Sequence, residues 1–154
     1  MATTVKSELR LDNYIRIQFP SHSENESFAR VAVASFVAQL DPTVEELTEL
    51  KTAVSEAVTN SIIHGYAEAF GEVRIECSMF EHSVVIVVED DGVGIENIEE
   101  AKQPLFTSRP ELERSGMGLT IMETFVDELT ITSTAGCGTR VQMTKHFSGS
   151  AYRH

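Results

Sequence analysis

Glu56-Ala57-Val58-Thr59-Asn60-Ser61-Ile62-Ile63-His64 reads as a helix with two unlike faces. A spacing of four puts Glu56, Asn60 and His64 on one side. Val54, Ala57, Val58, Ser61 and Ile62 fall on the other, the side a core would take. A wet helix face needs charge only for solubility. This one carries a carboxylate, an amide and an imidazole, groups able to work on a metal or a proton. Two glycine-rich loops follow, at 90–94 and 116–118, and with the helix they suggest a nucleotide site.

Working outward, Thr43-Val44-Glu45-Glu46 is a capping-box pattern that opens this long helix. Asp41-Pro42 breaks the helix before it. That earlier helix opens at a second capping-box pattern, Ser23-Glu24-Asn25-Glu26, with Phe28, Val31, Ala32, Phe36 and Leu40 among its apolar positions. Tyr14 to Phe19 alternates as a strand does, and Pro20 stops it. Downstream, residues 72–80 alternate with Val73, Ile75, Cys77 and Met79 on one face, and Glu81-His82 can turn the chain. Val84-Val85-Ile86-Val87-Val88 is a continuous apolar run, which predicts a central strand covered on both faces. A short helix over 96–102, a long loop or lid over 103–115, a helix from Gly116 to about Val126, and a hairpin of 129–134 with 139–145 complete the pattern. The order predicts an α/β (α+β) fold: a two-layer sandwich, its sheet mixed but mostly antiparallel, with helices on one face.

The 154 residues suit one domain, here 13–147, between a flexible arm (1–12) and a tail (148–154). No apolar run spans a bilayer and no signal peptide opens the sequence, so the expected location is cytoplasmic, with no membrane contact. Cys77 and Cys137 match no metal spacing and are expected as free thiols. A net charge of −12 argues against direct nucleic-acid binding. It suits a basic partner, or solubility alone.

Asp90-Asp91-Gly92-Val93-Gly94 ends the apolar strand. A buried acid there needs a donor, and the exocyclic amine of adenine is one. Glycines at 92 and 94 admit a flat ring close to the backbone, though a plain turn would use them too. Ser115-Gly116-Met117-Gly118 at a helix start can present N–H groups to an anion, or simply cap the helix. It lacks the lysine of a P-loop and the strand–glycine–helix unit of a dinucleotide fold. Asn60 offers Mg²⁺ a neutral oxygen, or satisfies a backbone group. Glu56 can take a proton from a hydroxyl or from water, or can be a solvated carboxylate. His64 before Gly65 suits a helix C-terminus. Gly138-Thr139 offers a hydroxyl near Asp90 or a hairpin turn. Arg109 and Arg114 in the lid can meet a γ-phosphate or an acidic partner, or neither.

In combination and order, Glu-x-x-x-Asn, Asp-x-Gly-x-Gly, a lid, Gly-x-Gly and Gly-Thr resemble the ATP site of the Bergerat (GHKL) superfamily, which includes gyrase, mismatch-repair ATPases and histidine kinases. Ser23 to Arg30, Ser55 to Tyr66, Gln103-Pro104-Leu105-Phe106-Thr107 and Pro110 to Gly118 resemble, more narrowly, the anti-sigma F factors of spore-forming bacteria. That resemblance implies a homodimer using ATP or ADP with Mg²⁺. It implies inhibition of a sporulation sigma factor and phosphorylation of an anti-anti-sigma protein on serine. It implies Glu56 as catalytic base, Asn60 as Mg²⁺ ligand and Asp90 as the adenine-binding acid. Gly92, Gly94, Thr107, Arg114, Ser115, Gly116, Met117, Gly118 and Thr139 are implied nucleotide contacts, and Arg30 and Arg114 partner contacts. A stand-alone ATPase of this superfamily, or a nucleotide-dependent binding module without kinase activity, is the alternative. The stretch 67–70 departs from the polar loop expected there.

Overall fold

A computed structural model describes residues 11–66, 70–95 and 118–148. The expected helix at 96–102 and lid at 103–115 lie outside the described residues, as do Thr107, Arg109, Arg114, Ser115, Gly116 and Met117.

The chain runs through β1 (Asn13–Pro20), α1 (Glu24–Val37), a short 3-10 turn (Ala38–Leu40) and α2 (Val44–Thr59), which continues as a π-helical turn, Asn60–Gly65. Then come β2 (Glu72–Phe80), β3 (Ser83–Asp90), α3 (Gly118–Phe125), β4 (Glu128–Thr134) and β5 (Gly138–His146). The strands form one sheet in the order β1-β2-β3-β5-β4, antiparallel at every pairing. The sheet expected as mostly antiparallel is thus entirely so among the described strands, and β3 lies at its centre.

Local signals held unevenly. Thr43 forms its capping box in full: its hydroxyl accepts the Glu46 N–H at 3.0 Å, and Glu46 accepts the Thr43 N–H at 2.8 Å. Ser23 forms none; its side chain makes no capping bond. Asn25 instead donates its side-chain amide to the Pro20 carbonyl, and its N–H bonds the His22 carbonyl. The buried stripe of α1 is also rotated from the expected one. Ala29, Val33, Phe36 and Val37 face inward, while Phe28 and Val31 are exposed. Asp41, in the left-handed region at φ 54°, ends this first helical segment.

β2 alternates as its sequence does: Val73, Ile75, Cys77 and Met79 are all buried. They meet Val84, Ile86 and Val88 of β3, Val141 and Met143 of β5, and Leu50, Ala53, Val54, Ala57 and Val58 of α2. Both described cysteines are free thiols, and burial pushes the Cys77 thiol up to about 12. The apolar run of β3, expected to be covered on both faces, places Val84, Ile86 and Val88 in the core. Its outward residues alternate with the core ones, and Val85 is half-buried. Val87 reaches low exposure between Glu76 of β2 and Gln142 of β5, its cross-strand neighbours.

One buried cation ties the layers together. Lys145 of β5 donates to Glu49 of α2 at 3.1 Å and to the carbonyl of Phe125, the last residue of α3, at 2.8 Å. Its charge also complements the C-terminal end of the α3 dipole. Lys145→Ala should cost about 2 kcal/mol in urea denaturation, because two acceptors lose their donor. Adding Glu49→Ala should then cost little more; full additivity of the two losses would show that the pair is not coupled.

Candidate functional site

The π-helical turn at the end of α2 builds the site. There the Tyr66 N–H reaches back five residues to the Ser61 carbonyl at 3.2 Å, which widens the last turn. Ser61 and Gly65 are buried in this turn, whereas Asn60, its first residue, and Glu56, on the helix leading into it, are only partly buried. The turn meets the C-terminal end of β3.

Asp90, the last residue of β3, is 5% exposed. An ionised carboxylate so placed needs donors. Ser61 Oγ donates to Oδ2 at 2.7 Å, and the Gly92 N–H donates to Oδ1 at 2.9 Å. Gly65 lies against the same carboxylate: a Cβ there would sit 2.9 to 3.1 Å from its atoms. Thr139 pairs with Asp90 across β3 and β5, and Gly138 before it adopts φ 109°, where a Cβ would fall 2.1 Å from the Asp90 carbonyl oxygen. Bare backbone therefore surrounds this acid on several sides. A carboxylate has about four acceptor positions, so capacity remains for a ligand's donor.

The loop after Asp90 is held from both sides. The Val93 N–H donates to the Gly65 carbonyl at 3.0 Å, and a Cβ on Gly92 would come within 2.0 Å of that same oxygen. Gly94, at φ 79°, packs on the Thr134 carbonyl, and the Gly136 N–H donates to Val93 at 2.7 Å. The Ser133 hydroxyl accepts the Ile95 N–H at 2.6 Å and donates to the Gly138 carbonyl; it lies 2.9 Å from the Thr139 hydroxyl. Tyr66 closes the far side. Its hydroxyl accepts the Asp91 N–H at 2.6 Å and donates to the Glu72 carbonyl at 2.8 Å. Arg74 then grips the Asp91 carboxylate with two bonds of 3.0 Å, which hold that acid below the usual carboxylate range.

The structure thus gathers Asp90, Gly92, Gly94 and Thr139 into one cluster and joins it, through Ser61, to the helix bearing Glu56 and Asn60. Gly118 begins α3 and is buried, and α3 packs on α2. Arg30 lies outside the cluster, on α1, where it pairs with Glu26 at 3.6 Å. Sequence reading missed Ser61 as a partner of Asp90, and also Gly65, Tyr66 and Ser133. One signal existed: Ser61 is a hydroxyl on an otherwise apolar helix face, and a buried hydroxyl needs a partner.

Burial raises the Asp90 carboxyl above its ordinary value and the Asp91 charge adds to this, while Ser61, Gly92 and the Thr139 backbone pull it back. A raised folded value means that folding loses stability as pH climbs from the unfolded value through the folded one. The Ser61 bond favours the ionised form, so it matters most above that range. Ser61→Ala should therefore destabilise the ligand-free protein by about 1–2 kcal/mol at pH 7 and by less at pH 4. Denaturation at the two pH values checks this; a penalty that does not change with pH refutes it.

The sequence profile of the histidine kinase-like ATPase domain matches residues 19–145. An anti-sigma F factor from Clostridium novyi is 62% identical over 134 residues, covering 86% of this chain and 94% of its own. The anti-sigma F factor of Bacillus subtilis is 57% identical over 141 residues, covering 91% of this chain and 97% of its own. Among solved structures, the RsbU and RsbW domains of a Mycobacterium tuberculosis protein match with a TM-score of 0.64 at 19% identity. That match covers 89% of this chain and 32% of the other, and it speaks to the fold alone. An ATPase domain over this span implies nucleotide binding. The chain belongs to the histidine kinase-like ATPase domain family and, within it, to the anti-sigma F factors.

Proposed function

We propose that this protein binds and inhibits a sporulation sigma factor in the cytoplasm and, as an ATP-dependent serine kinase, phosphorylates the anti-anti-sigma protein that opposes it. The observation that carries the nucleotide half is the buried Asp90 carboxylate, ringed by glycine backbone and tied through Ser61 to the helix of Asn60 and Glu56. The identity of 57–62% to anti-sigma F factors over most of the chain supports the regulatory half.

Bound Mg·ATP supplies the γ-phosphoryl group, with the metal offsetting its charge. The chain's own residues then have distinct tasks. Asp90 accepts a hydrogen bond from the exocyclic amine of adenine, and Gly92, Gly94 and Thr139 let the base approach. The Asn60 carboxamide oxygen is a neutral, hard ligand of the kind Mg²⁺ takes beside phosphate oxygens. Glu56, one helical turn earlier, accepts the proton of the incoming serine hydroxyl as that oxygen bonds to phosphorus and the bond to the ADP leaving group breaks. Thr107, Arg114, Ser115, Gly116, Met117 and Gly118 are assigned to the phosphates, and Arg30 and Arg114 to protein partners. A homodimer accords with β1 as an edge strand and with the exposed Tyr14, Phe28 and Val31.

Radiolabelled ATP incubated with this protein and the anti-anti-sigma partner should label serine. Label released only as phosphate would assign the protein to the ATPases, and no turnover would leave a binding module. Glu56→Ala should cut phosphotransfer by about 100-fold or more while leaving ATP affinity nearly unchanged. Asn60→Ala should instead weaken Mg·ATP binding in calorimetry. Undiminished serine labelling by the Glu56 variant would remove it as the base.

A further inference from the structure

The Tyr66 hydroxyl takes no part in the chemistry above, yet it occupies a demanding position. It lies between an N–H of the adenine loop and a carbonyl of β2, bonding Asp91 at 2.6 Å and Glu72 at 2.8 Å. The ring is seated as well: a Cβ on Gly71 would meet its edge at 2.2 Å, so only glycine lets the ring lie there. The Tyr66 N–H closes the π turn on Ser61, the residue that donates to Asp90. One residue therefore touches both supports of the acid, namely the turn that carries Ser61 and Gly65 and the loop that carries the Gly92 N–H.

We propose that Tyr66 is a positioning residue for base recognition, fixing the 91–94 loop against the π turn so that the Asp90 carboxylate presents one geometry to the nucleobase. This rests on the reading of Asp90 as the adenine-binding acid. Without the hydroxyl, the Asp91 N–H and the Glu72 carbonyl lose their shared partner, and the loop keeps the Val93–Gly65 bond as its link to the turn. Asp90 would then meet an amine with poorer alignment. The effect falls on affinity and on discrimination between bases, not on proton transfer at Glu56.

The test is calorimetry of the full chain with Mg·ATP and with Mg·GTP, for the wild type, Tyr66→Phe, Asp90→Ala and the double variant. Tyr66→Phe should weaken ATP binding about tenfold, the size of one or two lost hydrogen bonds. It should also narrow the ATP-over-GTP preference, a ratio that a merely smaller folded fraction leaves unchanged. Under saturating ATP its phosphotransfer rate should match the wild type. In the Asp90→Ala background the Tyr66 change should have little further effect, because it acts through Asp90. If Asp90→Ala abolishes the preference while Tyr66→Phe leaves affinity and preference intact, the positioning role is wrong and the adenine site stands. If Asp90→Ala itself leaves both intact, the adenine reading fails and takes the Tyr66 role with it. Amide exchange on the unaltered protein gives a check that needs no variant. The Asp91 N–H should be protected, and exchange at the rate of an open loop would overturn the proposal.

Discussion

A carboxylate that must stay buried at the end of the central strand organises this molecule. Placing Asp90 there costs desolvation, and the fold answers with the Ser61 hydroxyl, the Gly92 N–H and the Thr139 backbone. Each answer constrains a different segment. Ser61 requires the helix to end beside the strand, and Gly92 requires the chain to curl back at once. Thr139 requires β5 beside β3. Small residues follow from the same demand, since Gly65, Gly92 and Gly138 are bare where a side chain would collide with backbone or with the acid.

The same arrangement explains why a site can exist at this spot. An acid fully satisfied by its own chain would be inert, and an acid with no support would be protonated or would unfold the strand. Asp90 lies between these extremes. Its donors favour the ionised form and burial opposes it, so a further donor from a ligand has something to gain. The π turn gives the helix of Glu56 and Asn60 a fixed relation to that acid, because the wide turn carries Ser61 on one side and Tyr66 on the other.

Much of this was legible in the sequence where the signal was local. The Thr43 capping box, the alternation of β2 and the Asp-x-Gly-x-Gly loop were read from neighbouring residues alone. The face of α1 was not, because Phe28, Ala29, Val31, Ala32, Val33, Phe36 and Val37 surround the helix with apolar groups, and only packing chooses among them. The valines of β3 suggested cover on both faces, whereas Val85 is only half-buried and Val87, between the cross-strand residues Glu76 and Gln142, is buried. The bonds Ser61–Asp90, Gly65–Val93, Tyr66–Asp91 and Ser133–Ile95 join segments tens of residues apart, and no short window contains both partners of such a bond. The resemblance to a known family supplied the roles of Glu56 and Asn60; spacing alone left a solvated face open.

The strand order carries a consequence for how the molecule assembles. β5 follows β4 in the chain yet lies between β4 and β3. As the polypeptide emerges from the ribosome, β4 therefore appears before β5, its neighbour among the described strands, and that flank of β3 waits for the same later strand. The two must dock together as a hairpin, a long-range step of the kind that slows folding and leaves an edge open to wrong partners. Thr139 travels with that hairpin, so its backbone can support Asp90 only after this last closure, and any ligand that binds the closed form alone would draw the chain toward completion by mass action.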